Sequence, residues 1–188
     1  MQSTRSRIQV GDKTFRLYLE SDEIGAIVAR VATEITHDYE HLKDAEDRGP
    51  LFLPILNGAY MFAADLSRCL NFDADICFVK LTSYVGTTST GKLHNLIGIP
   101  NDIKDRNVIV VEDIVDTGIS MGQVLMQLHE MGVASAKICT FLIKPGKFQG
   151  NYEVDYIGRQ IDNDFVIGYG MDYNEYGRFY KDVYITES

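Results

Sequence analysis

VIVVEDIVDTGIS, from Val108 to Ser120, runs an apolar strand into two adjacent carboxylates, Glu112 and Asp113, and then into a short loop, Asp116-Thr117-Gly118-Ile119-Ser120, that opens a helix. A strand that is apolar on both faces belongs to a parallel sheet covered by helices on both sides. Open sheets of that kind bind their ligands outside the carboxyl ends of the strands, which is where this loop must lie. Paired carboxylates at that edge can accept hydrogen bonds from vicinal sugar hydroxyls. Gly118 lets backbone N–H groups approach an anion closely, Thr117 and Ser120 add hydroxyl donors, and the start of the helix adds favourable partial charge. Sugar acceptors immediately ahead of a phosphate cradle point to a ribose 5-phosphate as the ligand.

Working outward, the spacing of Ile24, Ile27, Val28, Val31 and Ile35 predicts a helix over about 22–43 with Ser21 as its cap. LFLPIL (Leu51 to Leu56) reads as a buried strand, followed by a turn at Asn57-Gly58 and a helix through AYMFAADLSRCL. DICFVKLTSY (Asp75 to Tyr84), AKICTFLI (Ala136 to Ile143) and DFVIGYG (Asp164 to Gly170) read as further strands, and Met121, Val124, Leu125 and Leu128 make one helical face closed by Gly132. The pattern predicts a single α/β domain over 1–188, a parallel-sheet core with flanking helices over about 22–145, and a small hood from 1–21 and about 146–188. The stretch 83–105, which holds VGTTSTG, is too long for an ordinary connection and reads as a mobile lid.

Composition removes several classes of function. At 188 residues, 45% hydrophobic and 24% charged, the chain is an ordinary globular protein with room for one core. A net charge of -9 with scattered acidic residues offers no basic face for nucleic acid, so any phosphate is bound locally. No stretch approaches the roughly 18 apolar residues of a membrane span, and MQSTRSRIQVGDKTF lacks the apolar centre of a signal peptide, so a cytoplasmic protein is expected. Cys69, Cys77 and Cys139 form no C-x-x-C pair and read as reduced thiols, Cys139 as core packing. No glycine loop is followed by the lysine of a P-loop, and Gly168-Tyr169-Gly170 lacks the third glycine of a dinucleotide fingerprint. His37 and His41 stand one helical turn apart, but the glutamate of a helical zinc motif is replaced and no third ligand is evident, so a solvated helix face explains them better.

VVEDIVDTGIS resembles the phosphoribosyl pyrophosphate (PRPP) motif of type I phosphoribosyltransferases, in the form found in their hypoxanthine-guanine members. The likeness extends through LNGAY (Leu56 to Tyr60), Ser83-Tyr84 with the STG of the lid, FLIK (Phe141 to Lys144) and FVIGYGMDYNEYGR (Phe165 to Arg178). It implies the type I phosphoribosyltransferase fold and a purine salvage reaction: hypoxanthine or guanine plus PRPP gives IMP or GMP and pyrophosphate. The resemblance sets Glu112 and Asp113 against the ribose hydroxyls and the hydration shell of Mg2+, with Thr117, Gly118, Ile119 and Ser120 on the phosphate. Carboxylates beside a polyanion are tolerable only with a hard divalent cation between them, which makes Mg2+ the expected cofactor.

Asp116 is implied as the acid/base at the purine N7 while N9 attacks the anomeric carbon. Lys144 is implied as the donor to the base carbonyl O6, a contact that adenine cannot make. Phe165 would stack on the base, the backbone of Val166 and Asp172 would read its edge, and the Asp172 side chain would approach a second Mg2+. Arg178 matches the pyrophosphate arginine, and Asn57-Gly58 matches the backbone clasp for the same group, often at a non-proline cis peptide. Many relatives carry lysine where this chain has Asn57. Ser83 and Tyr84 would head the lid that closes over the reacting carbon and excludes water. A homodimer or homotetramer is implied. The residues leave open a xanthine-preferring transferase and a non-enzymatic PRPP-sensing regulator.

Overall fold

The computed structural model describes residues 6–42, 49–85 and 92–187, with backbone alone at 42, 82–85 and 92–96. Its centre is a sheet of seven strands built on β3 (Leu51–Leu56), β7 (Asn107–Val115) and β8 (Ser135–Ile143). These three run parallel, with Leu51 opposite Val108 and Val110 opposite Ile138. The helices are α1 (Ser21–Asp38), α2 (Tyr60–Cys69) and α3 (Ile119–Glu130). Side chains alternate across β7: Ile109 and Val111 pack under α1 and α2, while Val108 and Val110 pack under α3 with Met121, Val124 and Leu128. All four strand residues are 0% exposed, and each buried aliphatic side chain of this kind contributes about 1.5–3 kcal/mol. The two-sided covering explains why the strand is apolar throughout.

The stretch Asp75 to Tyr84 is two strands, β4 (Asp75–Ile76) and β5 (Val79–Val85). β4 pairs with Leu51 and Phe52 of β3, and β5 with Ile55 and Leu56, so the gap falls opposite Leu53 and Pro54. Proline has no N–H for the ladder, and the pairing resumes one residue beyond it. β6 (Lys92–Ile97) turns back antiparallel along β5, with Ser83 opposite His94, so the backbone on both sides of the proposed lid is a hairpin. Residues 86–91 lie outside the described residues.

Two sequence expectations for the C-terminal region change. β9 (Tyr156–Gln160) joins the central sheet parallel to β8, so that sheet extends beyond residue 145. The strand expected over Asp164 to Gly170 shrinks to β10 (Val166–Ile167), and it belongs to a second sheet. That sheet is antiparallel, ordered β1 (Arg7–Val10), β2 (Lys13–Leu19), β11 (Val183–Thr186), β10, and it closes on Ile8, Val10, Phe15, Ile167 and Tyr184. β10 stops because Gly168, Tyr169 and Gly170 all take positive φ, at 93°, 49° and 97°. α1 ends at Asp38, short of 43, where Tyr39 turns its ring in against Phe72. Its cap is Glu20, whose N–H donates to the Glu23 carboxylate; Ser21 is the first helical residue and donates its N–H to buried Asp182 of the hood at 2.8 Å.

Cys139 is fully buried in the core, and Cys69 and Cys77 are free thiols at or near the surface. Among the described residues no helix is long and apolar enough to cross a membrane.

Candidate active site

β3, β7 and β8 end at one edge of the sheet, and their following loops carry the residues singled out above. β7 continues two residues past the carboxylates, to Val115, still paired with Ile143. Glu112 faces the α3 side and shares a hollow with Val115, Asp116, Thr117, Gly118, Ser120 and Met121. Its Oε2 is shielded from solvent and has no hydrogen-bond partner, and burial, with Asp113 adding repulsion, pushes its carboxyl well above the usual range. Asp113 lies against Gly58, where a Cβ would overlap its carboxylate, so glycine lets the Asn57-Gly58 turn sit over the strand end with Asp113 in this position. Burial raises the Asp113 carboxyl to about 6, opposed by its own and Ile114's N–H groups and by Arg178, and assisted by the Asp172 charge.

The Leu56–Asn57 peptide bond is cis, and Asn57 is exposed. The Gly58 carbonyl is closely approached by Gly170, another position that no Cβ could occupy. Arg178 donates to the Gly170 carbonyl at 2.8 Å and pairs with Asp172 at 2.6 Å, and Asp172 in turn accepts the Glu175 N–H at 2.7 Å. The pyrophosphate candidates Asn57, Gly58 and Arg178 are thereby joined to Asp113 and Asp172 through one set of contacts.

Gly118 caps α3 with φ 77°, the left-handed conformation that favours glycine. Asp116 sits just ahead of it, and its Oδ2 takes the Lys144 ammonium at 3.1 Å and the Lys147 ammonium at 3.6 Å. The other oxygen, Oδ1, is shielded from solvent and has no partner. Lys144 is only 4% exposed at the end of β8, so its charge is held in the interior by Asp116. Lys147, not singled out from the sequence, reaches the same oxygen because the Pro145-Gly146 turn folds the chain back; two lysines three residues apart across that turn were the available signal.

Phe165 is not a core residue: at 40% exposed it stands ahead of β10, edge-on to Tyr173 at 5.7 Å, with the Lys13 ammonium 5.4 Å from its ring centre. Val166 is buried beside it and Asp172 is half-buried. Ser83 and Tyr84 lie on β5 at the base of the hairpin, and their side chains are outside the described residues. Sequence reading missed Phe148, Gln149 and Tyr152, which pack behind Thr117 and Gly118; nothing in their spacing marked them.

The phosphoribosyl transferase domain matches residues 18–174. The hypoxanthine-guanine phosphoribosyltransferase of Mycobacterium tuberculosis is 35% identical over 158 residues, covering 84% of this chain and 78% of its own. The hypoxanthine-guanine-xanthine phosphoribosyltransferase of Tritrichomonas foetus is 36% identical, covering 87% of this chain and 86% of its own. Among solved structures, a hypoxanthine phosphoribosyl transferase of Trypanosoma cruzi superposes with TM-score 0.83 at 26% identity, over 96% of this chain and 95% of that one. A family domain over most of the length, relatives more than a third identical and a shared fold establish that the chain belongs to the phosphoribosyltransferase family, alongside its hypoxanthine-guanine members.

Proposed function

We propose that this enzyme joins hypoxanthine or guanine to PRPP, forming IMP or GMP and releasing pyrophosphate, as a cytoplasmic homodimer or homotetramer in purine salvage. The observation that carries the reading is the Asp116–Lys144 pair at 3.1 Å. O6 and N7 lie side by side on one edge of a 6-oxopurine, so a donor and a carboxylate this close together can address both at once. Lys144 donates to O6. N9 forms the bond to the anomeric carbon, the bond from that carbon to the pyrophosphate oxygen breaks, and the N7 proton passes to Asp116. Both ammonium groups take its Oδ2, and its Oδ1 is the oxygen without a partner. Phe165, exposed at the hood, offers a ring for the base to stack on, and the Val166 and Asp172 backbone reads its far edge.

Thr117, Gly118, Ile119 and Ser120 hold the 5-phosphate at the start of α3, where a helix presents N–H donors with no carbonyl one turn earlier. Asn57 and Gly58 hold pyrophosphate through backbone N–H groups, with Arg178 turning its guanidinium to it. The β5–β6 hairpin headed by Ser83 and Tyr84 is the lid, and it keeps water from the reacting carbon.

The donor set fits Mg2+. Glu112 and Asp113 supply hard oxygens, their carboxyls are raised by burial without a counter-charge sufficient to offset it, and Glu112 Oε2 is without a partner. Among the described residues no three such side chains form a ready-made cage, in keeping with an ion bound through one or two carboxylates plus substrate oxygens. When bound, Mg2+ neutralises the pyrophosphate and makes it a better leaving group. Glu112 and Asp113 orient the ribose hydroxyls, and Asp172, tied to Arg178, stands ready for a second ion.

The test is turnover by purified protein with PRPP and Mg2+, offering hypoxanthine, guanine, xanthine and adenine separately, with an EDTA control. Metal-dependent nucleotide formation from hypoxanthine or guanine and none from adenine is the expected result. A marked preference for xanthine would move the base assignment, and no turnover with any base would leave a PRPP sensor in place of an enzyme.

A further inference from the structure

The segment Lys144–Tyr152 follows the loop Val115–Gly118 residue by residue. The Lys144 N–H donates to the Val115 carbonyl at 3.0 Å, the Lys144 and Lys147 side chains take Asp116, the Gln149 N–H donates to the Thr117 carbonyl at 2.9 Å, and the Tyr152 hydroxyl donates to the Gly118 carbonyl at 2.6 Å. Phe148 and Tyr152 meet edge to face at 5.3 Å and fill the space where a Cβ at Gly118 would stand, 2.5 Å from Phe148 Cε2 and 2.6 Å from the Tyr152 oxygen. The Tyr152 ring also lies 3.3 Å from the Cβ position of Gly122, one turn into α3. Two glycines therefore make room for this one side chain.

The geometry has an electrostatic consequence. A trans peptide is planar, so the N–H of one residue points opposite to the carbonyl of the residue before it. Carbonyls of Thr117 and Gly118 that are pinned to the strap turn the Gly118 and Ile119 N–H groups away from it, and the Ile119 N–H meets Thr117 Oγ1 of the same loop at 3.4 Å. A flip of either peptide would present a carbonyl oxygen to an anion instead. Left-handed Gly118 has no side chain to resist rotation, and its carbonyl is held from two sides, by the Tyr152 hydroxyl and by the Gly122 N–H of the first turn of α3 at 3.0 Å.

We propose that Tyr152 is a positioning residue for the 5-phosphate of the nucleotide: with Phe148 and Gln149 it locks the Thr117 and Gly118 carbonyls away from the anion, so that the following N–H groups stay aimed at it. The proposal rests on the assignment of this loop to PRPP. It does not involve the purine subsite, and this makes it separable by experiment.

Tyr152→Phe removes the hydroxyl and keeps the ring. The expected result is a rise of about five- to tenfold in KM for PRPP, the scale of one lost hydrogen bond. The kcat at saturating PRPP should stay within about twofold, because what is lost is binding shared by ground and transition states. Calorimetric titration separates this role from a purely structural one: IMP should bind more weakly by the same factor, while inosine, which lacks the phosphate, should bind as to the wild type. Equal losses for IMP and inosine, or an unchanged KM for PRPP, would overturn the proposal. Should Tyr152→Phe fail to fold, Phe148→Leu keeps the hydroxyl and loosens its backing, and the same split between IMP and inosine is required of it. Wild-type protein that binds neither PRPP nor IMP would overturn the enzymatic reading itself and the proposal with it; wild-type turnover with an unaltered Tyr152→Phe variant would overturn the proposal alone.

Discussion

Replacing Asp113 by Asn removes a charge that the fold makes unfavourable to hold. The carboxylate sits under Gly58 and beside Arg178 at the end of β7, and burial raises it from its ordinary 3.8 to about 6. A shift of roughly two units at ~1.36 kcal/mol each means that ionised Asp113 costs the folded, ligand-free protein ~3 kcal/mol near neutral pH. The sign follows from which state binds the proton. Between about pH 4 and 6 the folded protein keeps a proton on Asp113 that the unfolded chain has released, so this group's contribution to stability falls as pH rises through that window and then levels off.

Asn is isosteric, does not titrate and still accepts from the Asp113 and Ile114 N–H groups through its carbonyl oxygen. Its removal of charge also relieves Glu112, whose carboxyl Asp113 helps to raise. Asp113→Asn should therefore stabilise the ligand-free protein by ~1–3 kcal/mol at about pH 8, at about 2–4 °C per kcal/mol for a chain of this length. The gain should shrink to near zero toward about pH 4. Thermal melts of both proteins in EDTA across that range measure it directly. A variant less stable than wild type at the alkaline end, or a difference that does not change with pH, would refute the reasoning. Activity should fall in the same variant, because the proposed Mg2+ and ribose contacts need the charge that Asn lacks.

Asp116→Asn should retain PRPP binding by calorimetry and lose about 10²–10⁴-fold in kcat, and an unchanged kcat would remove the acid/base role. Lys144→Met, which deletes the buried donor but keeps a stem of similar size, should lower kcat/KM for hypoxanthine about 10- to 100-fold and leave KM for PRPP nearly unaltered. An unaltered base profile would count against that contact. Gly118→Ala places a methyl into the Phe148 and Tyr152 side chains at φ 77° and should cost more than about 1 kcal/mol in chemical denaturation together with much of the PRPP affinity.

How much of this was legible in advance depended on whether the signal was local. Val108 to Val111 could be read as a strand buried on both faces because four consecutive apolar residues have no other use at that length, and each is fully buried. β9 was missed because an edge strand with sequence YIGRQ is covered less completely and needs no apolar run, its place being fixed by pairing with β8. The single strand expected over Asp75 to Tyr84 failed at Pro54, on a different strand altogether, and β10 was cut short by a turn whose glycines serve close backbone contacts with Gly58 and Asp182.

The sequence by itself determined the order of carboxylates, loop glycine and helix, since those chemical roles lie within a dozen residues of continuous chain and need only the strand–loop–helix geometry to be aligned. It also determined the α/β class, through the alternation of apolar strands with amphipathic helices. Only the tertiary structure decided which oxygen of Asp116 is left without a partner, that Lys147 reaches Asp116, that Gly58 and Gly170 close over Asp113, and that Tyr152 holds the Gly118 carbonyl. Those contacts join residues from separate strands and turns. Partners far apart in the chain meet only when sheet register and loop path are set by burial of the whole core, and no local spacing carries that information.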